Sequence, residues 1–241
     1  MTYTSIHNDK IKFFKGLNNK KNRDESNLFL VEGEHLVIEA HKQGFLKEVI
    51  LLENKEFDIE ITKNYVDEKV MKYISGLETI PSIIGVCNKN LKNKIGNKIL
   101  ILDNIQDPGN LGTIIRSAVA FGIDTIILSK DTVDLFNLKV IRASQGMLFQ
   151  MNFIINDLES EVKKLKENGY KIWSTNVSFG KSIKNVEKEK KFAIIMGNEG
   201  KGVSLDLQKL SDEQLYIDMK QTCESLNVAV ATSIILYELN R

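Results

Sequence analysis

Apolar residues in this chain fall into short blocks, and two spacings alternate. Leu28-Phe29-Leu30-Val31, Val49-Ile50-Leu51-Leu52 and Ile83-Ile84-Gly85-Val86 are uninterrupted runs of strand length. Between them apolar positions recur every three or four residues. Leu36, Val37 and Ala40 predict a helix over 34–43, which Gly44 ends in a left-handed cap. A short basic helix is predicted over 8–19, and a further helix from Asn64, as its cap, through Tyr73 with Val66, Val70 and Tyr73 on one face. Residues 1–87 thus read as a small α/β domain, and the polar stretch 88–97 as a linker.

Beyond residue 97 the alternation becomes regular. Ile99–Leu102, Thr125–Leu128, Phe153–Ile155, Lys171–Ser174, Phe192–Met196 and Leu215–Ile217 are predicted strands. Helices are predicted over 111–121, 138–144, 158–168 and 226–239. Ile99–Leu102 is apolar without alternation, as expected for a parallel strand covered on both faces. Residues 98–241 therefore predict a parallel α/β sheet, with the loops at the C-terminal ends of its strands as the ligand site.

Composition narrows the class without naming a function. The chain has 241 residues, 42% of them hydrophobic, with 33 Lys and Arg against 32 Asp and Glu. That excludes wholesale disorder and a disulfide scaffold. Cys87 and Cys223 form no Cys-x-x-Cys pair, so a cysteine zinc site is not indicated. No apolar run approaches membrane-spanning length and no signal-peptide core stands at the N-terminus, which points to a cytoplasmic protein. Charge is uneven only locally. Within residues 1–23, Lys10, Lys12, Lys15, Lys20, Lys21 and Arg23 face Asp9 alone, a stretch that suits either phosphate contact or a solvated helix.

Three loops carry the candidate chemistry. The first, Asp103 to Arg116, contains Asp107-Pro108-Gly109-Asn110. Pro108 and Gly109 impose a sharp turn, after which Asn110 is placed to cap a helix. Leu111, Ile114, Ile115 and Ala118 form that helix's apolar stripe, and Arg116 points roughly 140° away from it. The second loop, Met196-Gly197-Asn198-Glu199-Gly200-Lys201-Gly202, follows an apolar strand, and its glycines permit close backbone approach. It matches neither a dinucleotide fingerprint nor a phosphate-binding Walker loop. The third runs from Ile217 to Asn227 into an almost wholly apolar helix, which Ser225 or Asn227 can cap.

In this order and spacing the three loops closely resemble the motifs of the SpoU/TrmH family of RNA ribose 2′-O-methyltransferases. Asn-x-x-Asp-Pro-Gly-Asn-x-Gly-x-x-x-Arg is similar to the first motif, Met-Gly-x-Glu-Gly-x-Gly to the second and Ser-Leu-Asn-Val-Ala-Val-Ala to the third. The resemblance spans residues 98–241. Residues 24–87, with Phe29-Leu30-Val31-Glu32-Gly33, resemble the L30e-like substrate-binding domain that many members carry in front. It implies an α/β fold whose C-terminal parallel-sheet domain is tied in a deep trefoil knot, an obligate homodimer and S-adenosylmethionine as cofactor. Carried over by motif, the catalytic residues are Asn110, Arg116, Glu199, Ser225 and Asn227. Cofactor contacts fall on Gly197, Ile217 and Leu226, and on Thr175. Asp218 stands where the family usually has Pro, a residue that stiffens the loop.

The implied reaction is in-line methyl transfer to a ribose hydroxyl of RNA, with no membrane or DNA partner and no metal. Ribosomal RNA of the 23S type is favoured over transfer RNA because the added domain resembles rRNA-binding modules. Two other classes compete. A non-catalytic RNA-binding protein predicts loss of Arg116 or Glu199, and both are present. A nicotinamide or flavin oxidoreductase needs a phosphate fingerprint after an early strand, and none occurs.

Overall fold

The computed structural model describes residues 2–220 and 222–241; Gln221, which belongs to the third loop, lies outside them. The chain forms two compact units, Met1–Asn90 with Asp134–Gln150, and Leu91–Val133 with Met151–Arg241.

The first unit contains β1 (Thr2–Tyr3), α1 (Asp9–Gly16), α2 (Lys20–Ser26), β2 (Leu28–Glu32), α3 (Glu34–Lys42), β3 (Leu46–Leu52), β4 (Thr62–Val66), α4 (Glu68–Ile74) and β5 (Ile83–Asn88). Its sheet runs β1-β4-β3-β5-β2. β1, β4 and β3 are mutually parallel, and β5 is antiparallel to both β3 and β2. Ile11, Phe14, Leu30, Ile50, Val70 and Ile84 meet in its core. Gly44 follows α3 with φ of 75°, the left-handed geometry expected.

Two expectations fail here. The basic helix over 8–19 ends at Gly16, and α2 follows with Asn19 as its cap. The sequence Lys-Lys-Asn-Arg-Asp-Glu-Ser has no apolar stripe, so periodicity gives no sign of it. Asn64 caps no helix. It lies in β4, 5% exposed, where its amide donates to Glu48 Oε2 at 2.7 Å and Val49 O at 3.1 Å. Asp67 caps α4 instead, accepting from the Val70 amide at 2.8 Å. A buried Asn with satisfied bonds breaks the apolar alternation by which a strand is recognised.

The basic stretch is also neutralised within its own unit. Lys10 pairs with Glu48 at 3.1 Å, Lys20 with Asp24 at 2.6 Å and Arg23 with Asp134 at 2.5 Å. Asp134 lies on an excursion, 134–150, that includes α6 (Leu138–Ser144) and a 3₁₀ turn at Met147–Gln150. Phe136 and Phe149 pack on Phe29 and Phe45, with ring centroids 4.6 Å and 5.2 Å apart for the pairs Phe29–Phe136 and Phe45–Phe149. Arg142 approaches the buried Glu32 carboxylate at 3.9 Å.

The second unit contains β6 (Lys98–Leu102), α5 (Pro108–Ala120), β7 (Thr125–Leu128), β8 (Asn152–Ile155), α7 (Leu158–Glu167), β9 (Lys171–Thr175), β10 (Lys181–Ser182), β11 (Phe192–Met196), α8 (Leu205–Leu210), β12 (Glu213–Tyr216) and α9 (Val228–Asn240). Its seven strands run β10-β12-β9-β11-β6-β7-β8, every pairing parallel. β6, β7 and β11 are buried almost throughout, which explains their unbroken apolar runs. β12 begins two residues before the expected strand and leaves Ile217 in the loop. The end of the polar stretch is tied into this unit: the amides of Asn97 and Lys98 donate to Asp124 Oδ2 at 2.8 Å, and Tyr170 donates to Gly96 O at 2.7 Å.

Candidate functional site

The site assembles at the C-terminal ends of β6, β9, β11 and β12. After β6 the chain turns through Asn104, whose φ of 60° is left-handed. Asp107, not Asn110, caps α5, accepting from the Asn110 amide at 2.8 Å with Pro108 in the first turn. Proline is tolerated there because an N–H at the first helical position would have no helical acceptor. The correction matters chemically, since it leaves the Asn110 side chain available. Its Nδ2 donates to Glu199 Oε1 at 3.1 Å, and its Oδ1 accepts from Asn227 Nδ2 at 2.9 Å. Asn227 in turn caps α9 through Oδ1, accepting from the Ala229 amide at 2.9 Å. One hydrogen-bonded series, Glu199–Asn110–Asn227, therefore ties together all three loops.

Glu199 does more than meet Asn110. The amides of Gln106 and Asp107 donate to its carboxylate at 3.2 Å and 3.1 Å. Partial burial raises its pKa, but the bonds from Asn110 and these amides outweigh that and hold the carboxyl below the ordinary glutamate value. It stays an anion at neutral pH.

The loop bearing Glu199 is a closed hairpin. Asn198 and Gly202 exchange backbone bonds of 3.0 Å and 2.9 Å, and Asn198 Oδ1 accepts from the amides of Gly200 and Lys201 at 2.9 Å and 3.2 Å. Asn198 Nδ2 reaches across to Asn104 O at 2.7 Å. A Cβ at Gly197 would overlap the backbone of Gly202 and Val203. Glycine is thus required at 197 by the hairpin itself, before any ligand enters.

Thr175, Gly197, Glu199, Ile217, Ser225, Leu226 and Asn227 all line one cavity of about 520 Å³. Asn110 reaches it through its bonds to Glu199 and Asn227. Arg116 does not line it. As the stripe on α5 requires, Arg116 is exposed, and it makes no hydrogen bond or ion pair with a described residue. Ser225 is exposed and does not serve as the cap of α9. Thr175 Oγ1 donates to Ile195 O at 3.0 Å, joining β9 to β11 beside the cavity. Asp218 accepts from Ser182 Oγ at 2.5 Å and lies 3.5 Å from Lys184 Nζ. The Ser182 bond is the main cause holding the Asp218 carboxyl below its usual range.

Sequence reasoning missed Asn104, Gln106 and Asn198. The first and last carried a readable signal, since Asn tolerates left-handed backbone and closes Asx turns. The Gln106 contact runs through its backbone amide, which no side-chain pattern reports.

The cavity lies within the ~300–1,000 Å³ of small-molecule sites. Its lining combines apolar side chains (Ile217, Leu226, Ile235) with amides and hydroxyls (Asn176, Gln208, Thr175) and one anion, Glu199. That mixture suits an adenosyl group joined to a charged amino-acid tail. Among the described residues no group of His, Cys, Asp and Glu is placed to hold a metal ion, and no helix is long and apolar enough to cross a membrane.

Comparison with known proteins identifies the family and the fold. The family model described as the SpoU rRNA Methylase family matches residues 97–237, and an MRM3-like substrate binding domain matches residues 8–85. The chain is 39% identical to the 23S rRNA (guanosine(2553)-2′-O)-methyltransferase RlmP of Bacillus subtilis, covering 98% of this chain and 97% of that one. The AdoMet-bound rRNA methyltransferase from Sinorhizobium meliloti superposes with a TM-score of 0.90 at 30% identity, over 100% of this chain and 97% of that one. The SpoU methyltransferase AviRb from Streptomyces viridochromogenes, in complex with AdoMet, shares the fold with a TM-score of 0.87 at 22% identity, over 98% of each chain.

Proposed function

The chain belongs to the SpoU rRNA methylase family, and from that premise we propose that it transfers a methyl group from S-adenosylmethionine to a ribose 2′-hydroxyl of 23S ribosomal RNA. The observation that carries this reading is the Glu199–Asn110–Asn227 series, which holds three separate loops around a single cavity. Bound there, the cofactor supplies an already activated methyl group, so the protein's task is alignment and polarisation of the acceptor. Alignment alone is worth on the order of 7 kcal/mol or more.

The chain's own groups divide that work. Gly197, Ile217 and Leu226 contact the cofactor, with Thr175 beside them. Glu199 and Asn110 act by fixing the loop before α5, and Asn227 joins that loop to the start of α9. Arg116, which bonds to no described residue, grips the phosphate next to the target ribose and polarises its hydroxyl. A guanidinium holds its proton tightly and is a poor proton acceptor, so the part assigned to Arg116 is to bind and polarise.

The first unit recruits the RNA, and the second performs the transfer in the cytoplasm as a homodimer. The dimer is supported by the outer face of α9, where Val230, Ile234 and Tyr237 remain 49%, 37% and 58% exposed at helical spacing. The trefoil knot forms part of this proposal, with the segment after β12 passing through the loops of the cavity.

The deciding experiment is mass mapping of ribose methylation in 23S rRNA and tRNA from a deletion strain, with calorimetry against S-adenosylmethionine and NAD. One 2′-O-methyl group missing from 23S rRNA, restored by the purified protein, is the expected result. A missing mark in tRNA, or binding of NAD, overturns the assignment.

A further inference from the structure

Two ionisable side chains line the cavity among the described residues, Glu199 and Lys201. Glu199 is fully engaged by Asn110 and the amides of Gln106 and Asp107. Lys201 is the opposite case. Its ammonium has no hydrogen bond or ion pair with any described residue, although its backbone is fixed by donation to Asn198 Oδ1 at 3.2 Å. A clamped hairpin thus places Lys201, which bonds to no described residue through its ammonium, in the lining of the cavity.

We propose that Lys201 recognises the α-carboxylate of S-adenosylmethionine, an inference that rests on reading this cavity as the cofactor site. The ligand's chemistry directs the assignment. It carries two positive groups, the sulfonium and the α-ammonium, and a single anion. A carboxylate leaving water needs a compensating cation or donor. The start of α9 supplies no cation, and most of its amides are already taken. Asn227 Oδ1 already takes the amides of Ala229 and Val230, and Asn227 O takes that of Ala231. Lys201 is then the one cation in the lining, and Glu199 the one anion, a match to a ligand of mixed charge. Lys201 is exposed, so the pair is screened and its effect modest.

The test is calorimetry on the full-length protein with two ligands, S-adenosylmethionine and its decarboxylated analogue. Lys201→Met is expected to weaken the first roughly fivefold and leave the second unchanged, with Lys201→Arg restoring most of the loss. Wild type should prefer the intact cofactor over the analogue by the same factor. Unchanged affinity in Lys201→Met, or equal losses for both ligands, overturns the Lys201 assignment and leaves the cavity reading intact. An Lys201→Met protein that binds cofactor normally but RNA poorly also overturns it, in favour of a phosphate contact. Failure of wild type to bind either ligand overturns the cavity reading as well.

Discussion

The two units spend their polar side chains differently. In the unit formed by residues 2–90 and 134–150, charges close on partners that hold elements together: Arg23 on Asp134, Lys10 on Glu48, Asp24 on Lys20 and Lys89. In the unit of residues 91–133 and 151–241, Glu199, Asn110 and Asn227 bond one loop to the next and leave a cavity between them. A local charge excess along the sequence therefore says little about a binding surface until its partners are known. A polar residue that folding leaves free of capping duty says more.

The largest test of that comparison is removal of the first unit. Cutting away residues 1–97 strands the excursion 134–150, whose Phe136, Leu148 and Phe149 are at most 3% exposed in the intact chain. Each such side chain stabilises by about 2 kcal/mol when buried, so the truncated protein is expected to aggregate, as light scattering would report. A second deletion that also replaces 134–150 with a short linker should stay monodisperse, bind S-adenosylmethionine and lose RNA affinity. Normal folding of the first deletion would show that the excursion does not depend on residues 1–97.

Arg116→Ala comes next. Because Arg116 is exposed and bonds to no described residue, the variant's melting temperature and cofactor affinity should not change, while single-turnover transfer to unmethylated 23S rRNA falls at least ~100-fold. Lost cofactor affinity would instead make Arg116 a support of the cavity.

Glu199→Gln is the subtlest. The substitution keeps the shape but turns one acceptor into a donor facing the amides of Gln106 and Asp107. Transfer should fall roughly tenfold, the scale of one misplaced charge-assisted bond. The pH dependence follows from the lowered Glu199 pKa. A depressed carboxyl contributes fully above its unfolded value near ~4.3 and is lost only as pH falls through the lower folded value. Wild-type cofactor affinity should then stay level from neutral pH to about 5, and a fall starting near 6 would show Glu199 is not so held.

Much of this was legible in the residues. The buried parallel strands announce themselves as unbroken apolar runs, and Pro108, Gly109 and the glycines around Glu199 mark sharp turns. α2 and β4 were not legible, because a helix of polar residues and a strand with a buried Asn64 break the patterns on which periodicity depends.

By itself the sequence determined the two α/β units, the order of the three loops, the outward face of Arg116 and the family. Those follow from local spacing, which hydrophobic burial enforces within each element. Only the tertiary structure decided that Asp107 takes the cap and releases Asn110, that Asn227 lies within reach of it across 117 residues, and that 134–150 belongs with the first unit. Each is a contact between residues far apart in the chain, and local spacing carries no record of which distant partner satisfies a polar group or covers an apolar one.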